Sequence, residues 1–263
     1  MTRSTQRFCA TSGFIMVALF LGGFVLSGFI VPPSPRLGPG EIAALFQENR
    51  TRIQIGMILC MFGSALLVPW SVVLYLLTRT GAGARSPMPL VQLVSGGIFS
   101  LEFLYLIMFW QTAAYRSDGQ TSPEIIRILN DMAWIPFVGL TSTAVLQAGA
   151  LGVSMLSDSR ETPTFPRWMG YGNVWAGLIF TTGTVCVFFQ SGPFAWNGAI
   201  CWYLPLTVFS IWMPINSVFA LRAIRRSTDV TSEAGSAADI DLLADEVEAI
   251  RARLAQLAAA QTR

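Results

Sequence analysis

Lysine and histidine are absent from all 263 residues, so the 17 basic side chains are all arginine. Each absence removes chemistry. Without histidine there is no His-ligated haem, no His-bearing zinc site and no Ser-His or Cys-His nucleophile pair. Without lysine there is no Schiff base to retinal or pyridoxal phosphate. Cysteine offers no substitute: Cys9, Cys60, Cys186 and Cys201 show no C-x-x-C spacing, and each lies within or at the edge of an apolar run. They read as small buried hydrophobes, with neither a metal site nor a disulfide framework. The sequence also lacks a phosphate loop, a dinucleotide fingerprint and a basic nucleic-acid patch, so no cofactor and no nucleic-acid partner are expected. Arginine has GC-rich codons and lysine does not, which points to a bacterium with a GC-rich genome.

Charge is the other scarcity. Only 12% of residues are charged against 53% hydrophobic, and mean hydropathy is +0.55, whereas about a quarter of an ordinary soluble domain is charged. Six apolar runs account for the excess: residues 13–31, 53–77, 90–114, 134–156, 169–189 and 197–221. Each is near or above the roughly 20 residues that cross about 30 Å of hydrocarbon. The fold class that follows is all-α: a polytopic membrane protein whose residues 1–226 form a bundle of six transmembrane helices. Run 13–31 follows Arg3 and Arg7 and precedes Pro32 and Pro33. It is longer than a secretory signal core and no A-x-A-like cleavage site follows it, so it reads as a retained span.

The arginines set the orientation. With the N-terminus in the cytoplasm, Arg3, Arg7, Arg79, Arg85, Arg160, Arg167, Arg222, Arg225 and Arg226 lie inside, and Arg36, Arg50, Arg52, Arg116 and Arg127 outside. Nine against five favours both termini in the cytoplasm of a bacterial inner membrane. Trp110, Trp134 and Trp196 then fall at the outer interface and Trp168 at the inner. Residues 41–52 and 122–131 read as two short helices that form an outer cap, the second with Ser122 as N-cap and Pro123 at its first position.

Glu102, near the middle of the third run, is the one acidic residue inside a membrane-length run. A carboxylate at that depth costs a few kcal/mol unless it is paired, protonated or faces water. Gln92, Ser95, Glu102 and Tyr105 are expected on roughly one helix face. Gln147, Asn173 and Asn216 on neighbouring spans are expected to hydrogen-bond the acid. Gly139, Thr143 and Gln147, then Ala144, Ala148 and Gly152, and in span five Gly170, Asn173, Gly177 and Thr181, form small and polar stripes along which helices can pack closely. Pro205 and Pro214 interrupt span six and would free carbonyls toward a cavity.

Two pieces carry a resemblance: Phe165-Pro166-Arg167-Trp168, and Gly192-Pro193-Phe194-Ala195-Trp196-Asn197-Gly198. They resemble segments of an uncharacterised set of bacterial six-span integral membrane proteins. The resemblance is confined to spans five and six; it implies bacterial origin and six spans, and no activity.

After Arg226 the composition changes. Residues 227–238 form a polar linker. Over 239–263, Ile240, Leu243, Val247, Ile250, Leu254 and Leu257 recur at alternating spacings of 3 and 4. That is an a/d seam of under three heptads, in which Glu246 at g and Arg251 at e suit a parallel pairing. A cytoplasmic coiled-coil-like helix is expected, and tethering to the membrane raises the effective concentration of partner tails. The partners implied are membrane lipids and either a second copy of the chain or a membrane or cytoplasmic protein docked on this helix.

The reading these features support is a non-enzymatic, transporter-like or scaffold subunit that works as an oligomer or beside a partner. The alternative is a membrane enzyme or a lipid-binding or lipid-modifying protein that uses Glu102 in an intramembrane pocket. Topology is directly testable. Single-cysteine accessibility labelling should find residues 32–51 and 117–131 outside, and 78–89 with the tail inside; an external tail overturns the charge argument.

Overall fold

In the computed structural model, which describes residues 2–81 and 86–226, every regular element is helical. The helices are α1 (Arg3–Ser27), α2 (Pro39–Glu48), α3 (Arg50–Ala65), α4 (Leu67–Thr78), α5 (Met88–Arg116), α6 (Pro123–Gly139), α7 (Ser142–Leu156) and α8 (Arg167–Phe180). A 3₁₀ segment, Thr181–Phe188, extends α8, and a π turn, Ala199–Tyr203, opens the last helix, α9, over residues 204–226. Six stretches are long and apolar enough to cross a membrane: Arg3–Ser27, Arg50–Thr78, Met88–Arg116, Pro123–Leu156, Arg167–Phe188 and Ala199–Arg226. The protein is thus an all-helical multi-pass membrane protein. The linker and the seam from Ile240 to Leu257 lie outside the described residues.

Span limits shift where local chemistry outweighs hydropathy. α1 starts ten residues ahead of its apolar run, at Arg3, where the Thr2 hydroxyl accepts from the Thr5 N–H at 3.4 Å. It ends at Ser27 because Gly28 takes a left-handed φ of 77°, a conformation that glycine enters without a Cβ clash. The outer cap differs more. α2 ends at Glu48 and α3 follows after Asn49; Ile42 and Phe46 are buried beneath α2 as its spacing requires. The expected separate helix over 122–131 is instead the first part of α6, which runs unbroken from Pro123 to Gly139. No glycine or proline interrupts residues 124–135, so nothing stops the helix before it enters the apolar stretch.

Two packing devices hold the bundle. Gly23 of α1 and Gly56 of α3 approach so closely that a Cβ on either would strike the other's carbonyl oxygen. Gly152 and Gly170 do the same for α7 and α8, along the small-residue stripes read from the sequence. At the α2 end of the bundle, wide side chains act as the filler: Trp110 and Trp134 meet edge to face at 4.8 Å between centroids. Phe24 packs on Trp110 at 5.8 Å and on Trp202 at 5.6 Å, geometry that adds about 0.5–1.5 kcal/mol per pair beyond area burial. Trp110, Trp134 and Trp196 are therefore buried at 0%, 0% and 5% exposure rather than presented to a membrane surface. Trp196 donates to the Pro33 carbonyl at 2.8 Å and Trp202 to that of Ile30 at 3.0 Å, which ties the loop before α9 to the end of α1. Trp168 is exposed, as expected of an interfacial indole.

At the other end, the connection between α7 and α8 folds around Asp158. Its carboxylate accepts from Arg160 Nε at 2.7 Å, Arg160 Nη2 at 2.6 Å and the Thr164 N–H at 3.0 Å. The bonded guanidinium and backbone N–H groups hold the carboxyl down to about 2, from an ordinary value of 3.8. A depressed folded-state value means that the stabilisation is complete above the ordinary value and is lost as pH falls through the folded one. Thermal unfolding in detergent should therefore be insensitive to this group above about pH 5 and weaken between about pH 4 and pH 2, by at most about 2 kcal/mol given the partly exposed partner. Asp158→Asn should lower stability at neutral pH and flatten that acid limb; an unchanged acid limb would separate this loop from the stability of the bundle.

Candidate functional site

The polar residues expected to converge on Glu102 occupy three separate places. In the first, the Thr143 hydroxyl donates to Glu102 Oε2 at 2.5 Å, linking α5 to α7. Gln147 lies elsewhere: its Nε2 donates to Ser71 Oγ of α4 at 2.9 Å, and its Oε1 has no partner among the described residues. Gln92 and Ser95 are buried, and neither polar atom of the Gln92 side chain has a partner among the described residues. The third place joins α8 to α9. Asn173 Oδ1 accepts from Trp212 Nε1 at 2.6 Å, and Asn173 Nδ2 donates to Asn216 Oδ1 at 3.3 Å and to the Met169 carbonyl at 2.8 Å. Asn216 Nδ2 in turn donates to the Trp212 carbonyl at 2.8 Å. Bonded in this way, the two asparagines fasten α8 to α9, beside a pocket of about 210 Å³ whose wall they help to form.

The single stripe from Gln92 to Tyr105 does not hold, for a geometric reason. Thirteen residues at about 100° each return a side chain about 140° away from its starting direction. Gln92 is thus at 0% exposure while Tyr105, on the same helix, is at 63%. Glu102 lies between them, half-buried.

What places Thr143 opposite Glu102 is a break in the fourth span. Pro136 removes a backbone donor and crowds the preceding turn, and Gly139 follows it. The helix stops there: the Leu140 N–H reaches the Pro136 carbonyl at 2.7 Å, the Thr141 N–H turns back to Gly139 at 3.1 Å, and α7 restarts at Ser142. Glu102 therefore faces the opening turn of a half-helix, whose dipole favours a negative charge. This is how the chain accommodates its one intramembrane acid, without a cation and without the amides expected to serve it.

Spans five and six are irregular beside the same break. Gly183 of the 3₁₀ segment lies against the Val138 carbonyl, and the Thr141 and Thr184 hydroxyls are 2.8 Å apart. The Thr182 hydroxyl donates to the Ile200 carbonyl at 3.0 Å, and the Cys201 thiol to that of Thr182 at 3.0 Å. All four cysteines are buried free thiols. Beside the break in span four and the π turn of span six lies an apolar cavity of about 80 Å³ whose wall includes Val138, Thr141, Cys201 and Pro205, with Phe103, Phe180 and Phe209. Leu140 lines both this cavity and a groove of about 540 Å³ between α5 and α6, bordered by Tyr105, Phe109, Met132 and Ile135. Glu102 precedes the groove residues Tyr105 and Leu106 by about one helical turn on α5 and is not itself part of the groove's wall. Toward the α2 end, Asp131 and Ile135 line both the groove and a polar cleft of about 450 Å³ that also includes Arg36, Arg127 and Gln190. Thr143, the helix break and this cleft were not assigned to a site from the sequence; the signal for the break was Pro136 and Gly139 within one run.

The Glu102–Thr143 pair makes a directional test possible. Glu102→Gln keeps an acceptor for the Thr143 hydroxyl and removes a charge that is costly in hydrocarbon, so it should fold at least as well as the wild type. Thr143→Val strips the carboxyl of its donor and should destabilise by about 1–2 kcal/mol. In the double variant that loss should shrink, giving a coupling of about 1 kcal/mol in detergent unfolding; additivity would show that the contact carries no energy.

Compared with protein-family models, curated proteins and solved structures, the chain matches none.

Proposed function

We propose that the protein is a non-enzymatic, transporter-like membrane subunit that admits an amphiphile sideways from the lipid phase into the groove between α5 and α6. The observation that carries this reading is the shared lining: Leu140, at the break in span four, borders both the groove and the apolar cavity between spans four, five and six. Irregular backbone is tolerated at membrane depth where it is buried or lines a cavity, and transporter folds form binding sites from interrupted helices of this kind. Glu102 supports binding more than turnover, because its carboxyl meets one hydroxyl and no second acid or base stands beside it to complete a proton relay. The setting remains a bacterial cytoplasmic membrane with both termini inside, and self-assembly through the seam over residues 239–263 is part of the same proposal.

Leu206 lines the cavity, and Leu206→Trp adds bulk to a space with room for only two or three water-sized groups at about 30 Å³ each. Native mass spectrometry of the purified protein should detect retained lipid that survives delipidating washes. The variant should retain about fivefold less, with an unfolding temperature within a few degrees of the wild type. Wild-type protein that retains no lipid, or a variant that retains as much, overturns the reading.

A further inference from the structure

We infer that the polar cleft at the α2 end is the headgroup seat of a phospholipid that carries both a phosphate and a primary ammonium, with one acyl chain laid along the α5–α6 groove. The inference rests on the proposed lipid-binding function and names the class of ligand.

Three observations converge. Asp131 and Ile135 line the cleft and the groove alike, so a polar compartment opens into an apolar one along a single helix. From Asp131 to Leu140 that helix rises about 14 Å, and its groove walls between those residues, Met132, Ile135 and Pro136, are apolar. A molecule that fits both compartments has a charged head and a hydrocarbon tail.

The charges then choose the head. Arg36 and Arg127 line the cleft together with Asp131, and Arg127 is paired with Glu124 at 3.4 Å. With Arg127 paired outside the lining to Glu124, one guanidinium, Arg36, and one carboxylate, Asp131, are left without an ion pair among the described residues, which favours a ligand that carries one charge of each sign. Arg127 and Asp131 are one turn apart on α6 and feel each other's charge, yet no contact ion pair closes between them; Arg127 reaches back to Glu124, while Asp131 takes a 3.3 Å bond from Asn130 Nδ2. Arg127 Nε and Asn130 Oδ1 are buried and have no partner among the described residues. A phosphate suits the planar donor fork of arginine, and an ammonium with N–H donors suits a carboxylate that still has lone pairs to offer. A quaternary ammonium offers no N–H, and a glycerol headgroup offers no positive charge; the primary amine is the group that answers Asp131.

The test uses the full-length protein in nanodiscs that contain equal parts of phosphatidylethanolamine, phosphatidylglycerol and phosphatidylcholine with matched chains. Retained lipid is identified by native mass spectrometry. The wild type should enrich the ethanolamine lipid about tenfold over the others. Asp131→Asn should remove that preference while the total lipid retained stays the same, and Arg36→Gln with Arg127→Gln should lower retention of all three phospholipids. Retained lipid without headgroup preference, or a preference unmoved by Asp131→Asn, overturns the headgroup seat and leaves the proposed function standing. No retained lipid of any kind overturns both. Glycerophosphoethanolamine, which has the head without chains, should not displace the lipid at equal concentration; if it does, the groove takes no part and the lipid assignment fails. Unfolding temperatures of the variants should match the wild type, since all three residues are at least partly exposed.

Discussion

Hydrocarbon does not hydrogen-bond, so every peptide group in a membrane span must find its partner within the protein. Six unbroken helices would meet that constraint span by span. This chain instead interrupts four of its spans and lets the interruptions in spans four, five and six serve one another. The Ile200 carbonyl, beside the π turn of span six, accepts from Thr182 of the 3₁₀ segment. The Thr182 carbonyl accepts from Cys201, and Cys186 of the same segment points its thiol at the Ile135 carbonyl at 3.8 Å, just ahead of the break in span four. None of these irregular stretches could be straightened or withdrawn without leaving polar groups of another exposed to lipid.

Two packing modes alternate through the bundle. Where Gly23 meets Gly56, near the α2 end, and Gly152 meets Gly170, near the other, backbones touch. Also toward the α2 end, Trp110, Trp134, Phe137 and Trp202 hold the helices apart by ring width. The polar cleft and the α5–α6 groove lie on that side, and the Asn173–Asn216 pair joins α8 to α9 beside a separate pocket of about 210 Å³.

How much of this could be read from the sequence depends on which interactions are local. Span number follows from length and hydropathy, both properties of a contiguous stretch, and the close-packing Gly152 and Gly170 follow from a helical repeat of small residues, whereas Gly23 and Gly56 were not singled out. The partner of Glu102 did not follow. Gln147, Asn173 and Asn216 were the obvious amides, but each is engaged by a side chain from another helix, Gln147 by Ser71, Asn173 by Trp212 and Asn216 by Asn173, and such pairings depend on which faces meet. Thr143 could have been found only by recognising that Pro136 and Gly139 break span four and restart α7 beside the acid. Asp131 was read as the end of a surface helix, because its role depends on Arg36, which is ninety-five residues earlier in the chain.

A lone intramembrane acid invites comparison with proton-coupled sites, yet its surroundings argue for a different use. A relay needs a second titratable group within reach, and the neighbour that Glu102 has is a hydroxyl at the start of a half-helix. An acid held by a fixed donor and a helix dipole is a stationary polar group, about one helical turn before the α5 residues Tyr105 and Leu106 that wall the groove. The groove itself is charged at its Asp131 end, with Arg36 and Arg127 in the adjoining cleft, and apolar along Leu106, Phe109, Met132 and Leu140.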